Sequence, residues 1–358
     1  MGRDRGSVVV LYNSVSDEGY ESLKQVDPAT LGFTPEYDIA VATVKEEYDA
    51  IVKALRSERF RVRPVNLREN IANLERVVKR HPPDAVFNLV ESFHDDADLE
   101  PAVAGFLELY RIPYTGASPL CLAICRRKGL MKQLLIANRV PTPRFLHLWE
   151  PLTTQRHGLH YPLIVKPARE DGSAGIEAAS VVHDRPQLLA RLEKVFAEFG
   201  APVLVEEFIE GRELHVGVLG NDPPLVLPPL EYDFSELPPD QPAIISYAAK
   251  WDPLQEVFHR VGSRCPADLS KRLLKRVEEV ALRAYRVSGC RDYARLDIRL
   301  NRDNHVYVLE VNPNPDLTEG VSFMHYAEEA GHPFAQTLRE IVEMAMARKP
   351  APAPVQQV

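Results

Sequence analysis

The stretch YARLDIRLNRDNHVYVLEVNPNPD, from Tyr293 to Asp316, contains two alternating runs. In the first, Leu296, Ile298 and Leu300 fall on one face and Arg295, Asp297 and Arg299 on the other. In the second, Tyr307, Leu309 and Val311 share a face, and Val306, Val308, Glu310 and Asn312 take the opposite one. A period of two is the signature of a strand. The polar residues Asn301–His305 read as the turn between them, and Asp303-Asn304 suits a two-residue hairpin loop. That loop puts Asp297 directly opposite Glu310, and Arg295 opposite Asn312. Facing carboxylates destabilise a ladder unless something positive lies between them. Magnesium (or manganese) fits, because a hard cation takes oxygen ligands from one or two carboxylates and keeps sites for phosphates. The plain alternative is a surface hairpin with a charged outer face, since a slip of one residue reverses every side chain.

Outward from the hairpin, the chain reads as α/β and α+β, in three units. In residues 1–120, strands at Val8–Tyr12, Phe60–Val65 and Ala85–Val90 alternate with helical patterns, which implies a mostly parallel sheet. No G-x-G-x-x-G follows the first strand, so a dinucleotide site is not supported. Residues 121–205 open with a helix over Cys121–Asn138. Strands at Tyr161–Pro167, Ile176–Val182 and Pro202–Glu207 and a helix over Pro186–Phe199 then read as a small antiparallel sheet with helices. Residues 206–348 hold a strand at Glu213–Leu219, a proline-rich middle, a helix over Leu269–Ser288, the hairpin, and a last helix from about Phe334 to Arg348. The tail 349–358 (KPAPAPVQQV, from Lys349) has the composition of disorder.

Bulk properties narrow the function. A net charge of −8 gives no electrostatic footprint for nucleic acid. No apolar run reaches membrane length, and no signal-type segment precedes the first strand. Cys121, Cys125, Cys265 and Cys290 lack zinc or thioredoxin spacing. Cys121 and Cys125, four apart in an apolar helical pattern, read as buried thiols. The expected setting is the reducing cytoplasm, with small molecules as partners and neither nucleic acid nor membrane.

Several residues outside the hairpin carry chemistry. Lys166 ends a buried strand, where a lysine pointing into a cleft meets phosphate. Asp171-Gly-Ser173-Ala-Gly175 follows, and its glycines let backbone N–H groups approach phosphates; an ordinary hairpin turn is the alternative. Val205-Glu206-Glu207-Phe208-Ile209 delivers two carboxylates and then a linker whose backbone suits an adenine edge, and Glu213 stands where it could accept from ribose hydroxyls. Lys128 and Lys132 share a helix face, for which solvent exposure is the simple reading. Lys250 follows an apolar stretch and precedes Trp251, on which its stem could pack.

Taken in order, these residues resemble the ATP-grasp ligases, and within them the D-alanine–D-alanine ligase group. The resemblance covers about residues 85–345. It rests on Phe87-Asn88-Leu89, Pro113-Tyr114-Thr115-Gly116, Lys128, Val165-Lys166-Pro167, Gly172–Gly175, Glu210–Leu214, Ala249-Lys250, Arg295–Asp297 and Glu310–Pro313. It implies a three-unit ATP-grasp architecture and an ATP-dependent carboxylate–amine ligase acting through an acyl phosphate. Lys128 and Lys166 become nucleotide contacts. Glu206, Glu207 and Ile209 line the adenine, with Glu213 on the ribose. Lys250 holds the γ-phosphate, Asp297, Glu310 and Asn312 hold magnesium, Arg295 stabilises the intermediate, and the loop at Ser173 closes over the phosphates. Homodimers are common in the group. Related readings are a true D-alanine–D-alanine ligase, a small-molecule kinase, and an ATP-binding regulatory module.

The substrate half departs from the group's pattern. The N-terminal segment that holds an ammonium-binding glutamate reads Leu11-Tyr12-Asn13-Ser14-Val15-Ser16-Asp17-Glu18, so Asp17, Glu18 or Glu91 is left to take that role. After Asn312, Asp316 stands where the group has a glycine, and Thr318 ends the segment. An acidic group there repels a substrate carboxylate and attracts an amine.

Overall fold

A computed structural model of the chain describes residues 4–13, 23–24, 26–39, 43–152 and 157–348. Asp17, Glu18 and the tail 349–358 lie outside the described residues.

Three strands, β1 (Ser7–Tyr12), β2 (Arg61–Asn66) and β3 (Ala85–Asn88), form a parallel sheet in the order β2-β1-β3. Val8, Val9, Val10 and Leu11 are all buried, as in a parallel strand covered on both faces. The helix Val44–Ser57 lies between β1 and β2 in the chain. Its start is set by a capping box: the Thr43 hydroxyl accepts from Glu46 N, and the Glu46 carboxylate accepts from Thr43 N. A helix from far down the chain, Phe334–Ala347, packs on this helix and on β3. Leu338, Ile341 and Val342 thereby join Val8, Val10 and Phe87 in one core.

The next sheet is antiparallel and four-stranded: β4 (Phe145–Leu148), β5 (Leu163–Pro167), β6 (Val181–Val182) and β7 (Val203–Glu207), in the order β4-β7-β5-β6. The helix Arg185–Phe199 covers it, and Leu163, Val165, Leu188, Leu192 and Val205 make a core separate from the rest. The strand expected over Ile176–Val182 shrinks to two residues. Ala178–Ser180 turn instead, because the Arg191 guanidinium donates to both Gly175 O and Ser180 Oγ and draws the segment inward.

The third sheet holds β8 (Gly211–Leu219), β9 (Leu225–Val226), β10 (Leu230–Asp233), β11 (Gly262–Arg264), β12 (Tyr293–Asn301) and β13 (Val306–Asn312). Its order is β11-β10-β8-β12-β13, with β9 beside β8, and all pairs are antiparallel. The helix Lys271–Val287 packs Val277, Ala281 and Ala284 against Leu296, Ile298 and Leu300. The expected helix Cys121–Asn138 is two helices, Pro119–Arg126 and Lys128–Ala137, broken at Arg127; Lys128 N donates to Ala168 O at the break. Both helices bury Cys121, Cys125, Met131 and Leu135 in the core shared by the first and third sheets.

The hairpin pairs Arg295 with Asn312 and Asp297 with Glu310, as expected, but by a different route. The loop is one residue longer: Asn301 N donates to His305 O at 3.1 Å, and Asn304, at φ +59°, lies inside the loop. Ile298 then pairs with Val308 and Leu300 with Val306, so Leu309 is an extra residue bulged before Glu310. The longer loop and the bulge cancel at Asp297. The bulge also changes parity. Val306 and Val308 face the core with Val311, and do not share a side with Glu310 and Asn312.

Candidate active site

Three cross-strand rows on the open face of the third sheet build the centre. Gly217, Arg295 and Asn312 make one row, His215, Asp297 and Glu310 the next, and Glu213, Arg299 and Tyr307 the third. Arg295 donates through Nε and Nη2 to the two oxygens of Asp297, at 2.7 and 3.0 Å. Burial alone would raise the Asp297 carboxyl, but Arg295 and then His215 hold it well below the usual carboxylate range. His215 Nε2 lies 3.5 Å from Asp297 Oδ1, and burial pushes the imidazole down to about 3, so it is neutral at pH 7. Glu310 Oε2 is 3.1 Å from Lys128 Nζ, which also reaches Asp171 Oδ1 at 2.8 Å. Asn312 Oδ1 accepts from Asn314 N.

Two carboxylates in register beside an amide carbonyl form an all-oxygen donor set, the kind that holds a hard divalent cation. Each carboxylate carries a basic side chain, Arg295 on Asp297 and Lys128 on Glu310, so the pair tolerates facing itself in the free protein.

Lys128 and Lys132 are buried, at 6% and 1% exposure, and not on a solvated face as expected. The break at Arg127 turns this helix face inward. Lys132 and Lys166 flank the same carboxylate, Glu206: Lys166 Nζ is 2.7 Å from Oε2, and Lys132 Nζ meets Oε1. Burial lowers both lysines, Lys166 to about 8, with the charge on Lys128 adding to the depression of Lys166. Burial thus works against the charge of both lysines around the one carboxylate, and an anion bound beside them would restore it.

The linker residues separate. Adjacent strand positions face opposite ways, so Glu206 is enclosed between the lysines while Glu207 points outward to Arg144 and His160, at 3.2 and 2.9 Å. Their side chains therefore serve different surroundings, and a surface that the two residues share is one of backbone. Ile209 O accepts from Arg299 Nη1 at 2.7 Å, and Glu213 Oε2 accepts from Arg299 Nε and Nη2 at 3.0 and 2.8 Å. Arg299, 2% exposed, therefore fixes both the linker and Glu213. The strand pattern shows only that it shares a face with Asp297; its partners lie some ninety residues earlier and carry no local signal. Gly211 begins β8 at φ +142°, where a Cβ would sit 2.1 Å from Leu300 O, so the linker can come no closer with any other residue.

The glycine loop docks on the segment carrying Lys250. Ser173 Oγ donates to Ile245 O at 3.0 Å, Trp251 Nε1 donates to Gly172 O at 2.7 Å, and Tyr247 N donates to Ile176 O. Gly175, at φ +70°, has Pro167 2.7 Å from where a Cβ would lie, which folds the loop back on the end of β5. Lys250 Nζ lies 5.0 Å from the centre of the Trp251 ring. Its pKa is lowered, by burial first and then by Arg295, against the pull of Asp297 and Glu310.

Beyond Lys250 the site turns acidic. Glu91, exposed at this rim, stands near enough to Asp316 for the charge on that carboxylate to raise it. Glu100 is raised to about 8 by burial, although Asn314 Nδ2 donates to it at 3.0 Å. Asp316 Oδ1 accepts from the N–H and hydroxyl of Thr318.

Comparison with known proteins shows the family. Residues 145–343 match the family described as the D-ala D-ala ligase C-terminus. The chain is 31% identical over 325 residues to a D-alanine–D-alanine ligase of Carboxydothermus hydrogenoformans, covering 88% of this chain and 96% of the relative. It is 33% identical over 285 residues to an uncharacterized protein of Sinorhizobium fredii, covering 78% and 80%. The fold matches the Bacillus anthracis D-alanine–D-alanine ligase, solved in complex with ATP, with a TM-score of 0.70 and 22% identity over 96% of this chain and 98% of that one. The chain belongs to the D-alanine–D-alanine ligase family of ATP-grasp enzymes.

Proposed function

We propose that the chain uses ATP to join a carboxylate to an amine through an acyl phosphate, with a substrate pocket altered toward an ammonium-bearing partner. The observation that carries the reading is the row His215–Asp297–Glu310, flanked by Arg295, Lys128, Lys166 and Lys250. Asp297, Glu310 and Asn312 would hold magnesium, which when bound screens charge on the phosphates. Lys166, matched only in part by Glu206, receives the phosphate chain. Lys250, near enough to Arg295 to feel its charge, draws with it a substrate carboxylate oxygen toward the γ-phosphorus. That oxygen forms the new P–O bond as ADP leaves. The amine then attacks the acyl carbon, phosphate departs with the electron pair of the broken C–O bond, and the proton lost from the nitrogen passes to the departing phosphate. Arg295 stabilises the oxyanion formed on that path. The loop at Ser173, bonded to Ile245 and Trp251, keeps water from the acyl phosphate.

Glu91 and Asp316 support an ammonium group in the substrate pocket. The test is ADP release on screening amino acids and amines, with D-alanine alone among them. Acceptor-dependent ADP release with a coupled product is expected. ATP and magnesium binding with no acceptor-dependent ADP defeats the reading, and a stable phosphorylated product with no coupling replaces it with a kinase.

A further inference from the structure

Away from the cleft, three cysteines from two segments meet. Cys121 and Cys125 lie one turn apart on the helix Pro119–Arg126, and Cys290 enters from the turn before β12. Cys121 Sγ is 3.7 Å from Cys290 Sγ and 3.9 Å from Cys125 Sγ, and all three sulfurs lie within 4.8 Å of one another. None is in a disulfide. A zinc ion with Zn–S bonds of about 2.3 Å places tetrahedral sulfurs about 3.8 Å apart. The two shorter separations match that spacing with the side chains where they stand. Ser288 Oγ lies 3.2 Å from Cys290 Sγ and offers an oxygen for a fourth position. The pocket is otherwise apolar, with Leu122, Ala281 and Tyr285 in the same core. Cys121 and Cys125 are buried and Cys290 is partly exposed, which leaves a path for an ion. Arg291, the next residue, stands near enough to act on the charge of Cys121.

We propose that Cys121, Cys125 and Cys290 form a site for a thiophilic d10 cation, zinc above all, independent of the nucleotide site. Three thiolates and Zn2+ sum to −1, which Arg291 offsets. The site ties the helix that ends just before Lys128 to the turn that leads into β12, the strand that carries Asp297.

Zinc is measured by elemental analysis of protein purified without chelator, and Co2+ is titrated into the metal-free protein. Zinc near one equivalent, or strong sulfur-to-cobalt charge-transfer absorption with tetrahedral visible bands, is expected. Cys290→Ser should lose the charge-transfer bands and Cys265→Ser should keep them. Thiols are also counted in denatured, unreduced protein. Four free thiols with neither zinc nor a cobalt spectrum overturns the proposal, as does a count of two with a Cys121–Cys290 disulfide. Because the cobalt spectrum is read on the unaltered chain, failure of a variant to fold does not protect the proposal.

Discussion

Lys166 offers the most direct test of the nucleotide site, because its charge depends on pH where most lysines do not. In the free protein the pKa of its ammonium is lowered to about 8, since burial and the Lys128 charge outweigh the carboxylates of Glu310, Glu213 and Asp297. A bound phosphate chain supplies the missing negative charge and raises that value. Binding therefore takes up a proton, and the sign follows: affinity for ATP is full below about pH 8 and falls as pH rises above it. At pH 9 about one lysine in eleven is still protonated, so affinity drops about tenfold from pH 7, or about 1.4 kcal/mol. Isothermal titration calorimetry in two buffers of different ionisation enthalpy measures both the affinity and the proton uptake. Lys166→Arg keeps the charge across this range and should flatten the profile. An affinity unchanged between pH 7 and 9, or the same slope in the arginine variant, refutes the assignment of Lys166 to the phosphates.

Other expectations follow from the same geometry. Asp297→Asn or Glu310→Gln should each lower turnover by at least about a hundredfold, because one charge supporting the metal and phosphates is lost; near-normal steady-state rates in both would remove the hairpin from the active site. Lys250→Ala should impair ATP use while the melting temperature stays put, since Lys250 anchors no core; unchanged kinetics would exclude it. Asp292, fully buried, is held by Arg348, by Gly116 N at 3.0 Å and by Asn221 Nδ2 at 3.0 Å. Arg348→Met strands that carboxylate and should cost about 3 kcal/mol in urea unfolding, the low end for breaking a buried pair because the guanidinium is partly exposed; a loss below about 0.5 kcal/mol would mean that the two amides alone satisfy the acid.

The parts legible in the sequence are those written in local period. The alternation over Tyr293–Asn312 was enough to bring Asp297 opposite Glu310, and the glycines of 172–175 marked the loop that docks near Lys250. What local period cannot carry is a partner chosen across the fold. Lys132 looks like any surface lysine on its helix until the break at Arg127 turns it onto Glu206. Arg299 reads as one charge in an alternating strand, yet it holds Ile209 and Glu213. The turn before His305 misled in a different way: its extra residue is offset by the bulge at Leu309, so the right pairing came with the wrong face for Val306 and Val308. The three thiols show the same limit, because Cys290 is far from the other two in sequence.

The helix Phe334–Ala347 has a consequence for how the protein is made. It covers the first sheet, packing on β3 and on the helix Val44–Ser57, although some 250 residues separate them. A nascent chain emerging from a ribosome must hold Val8, Val10 and Phe87 without their partners Leu338, Ile341 and Val342 until those residues are made. The lobe around β4–β7, whose apolar residues are all its own, can fold as soon as it emerges. The first sheet is thus completed only after the lobe around β4–β7, and chaperone binding or aggregation during translation should begin there.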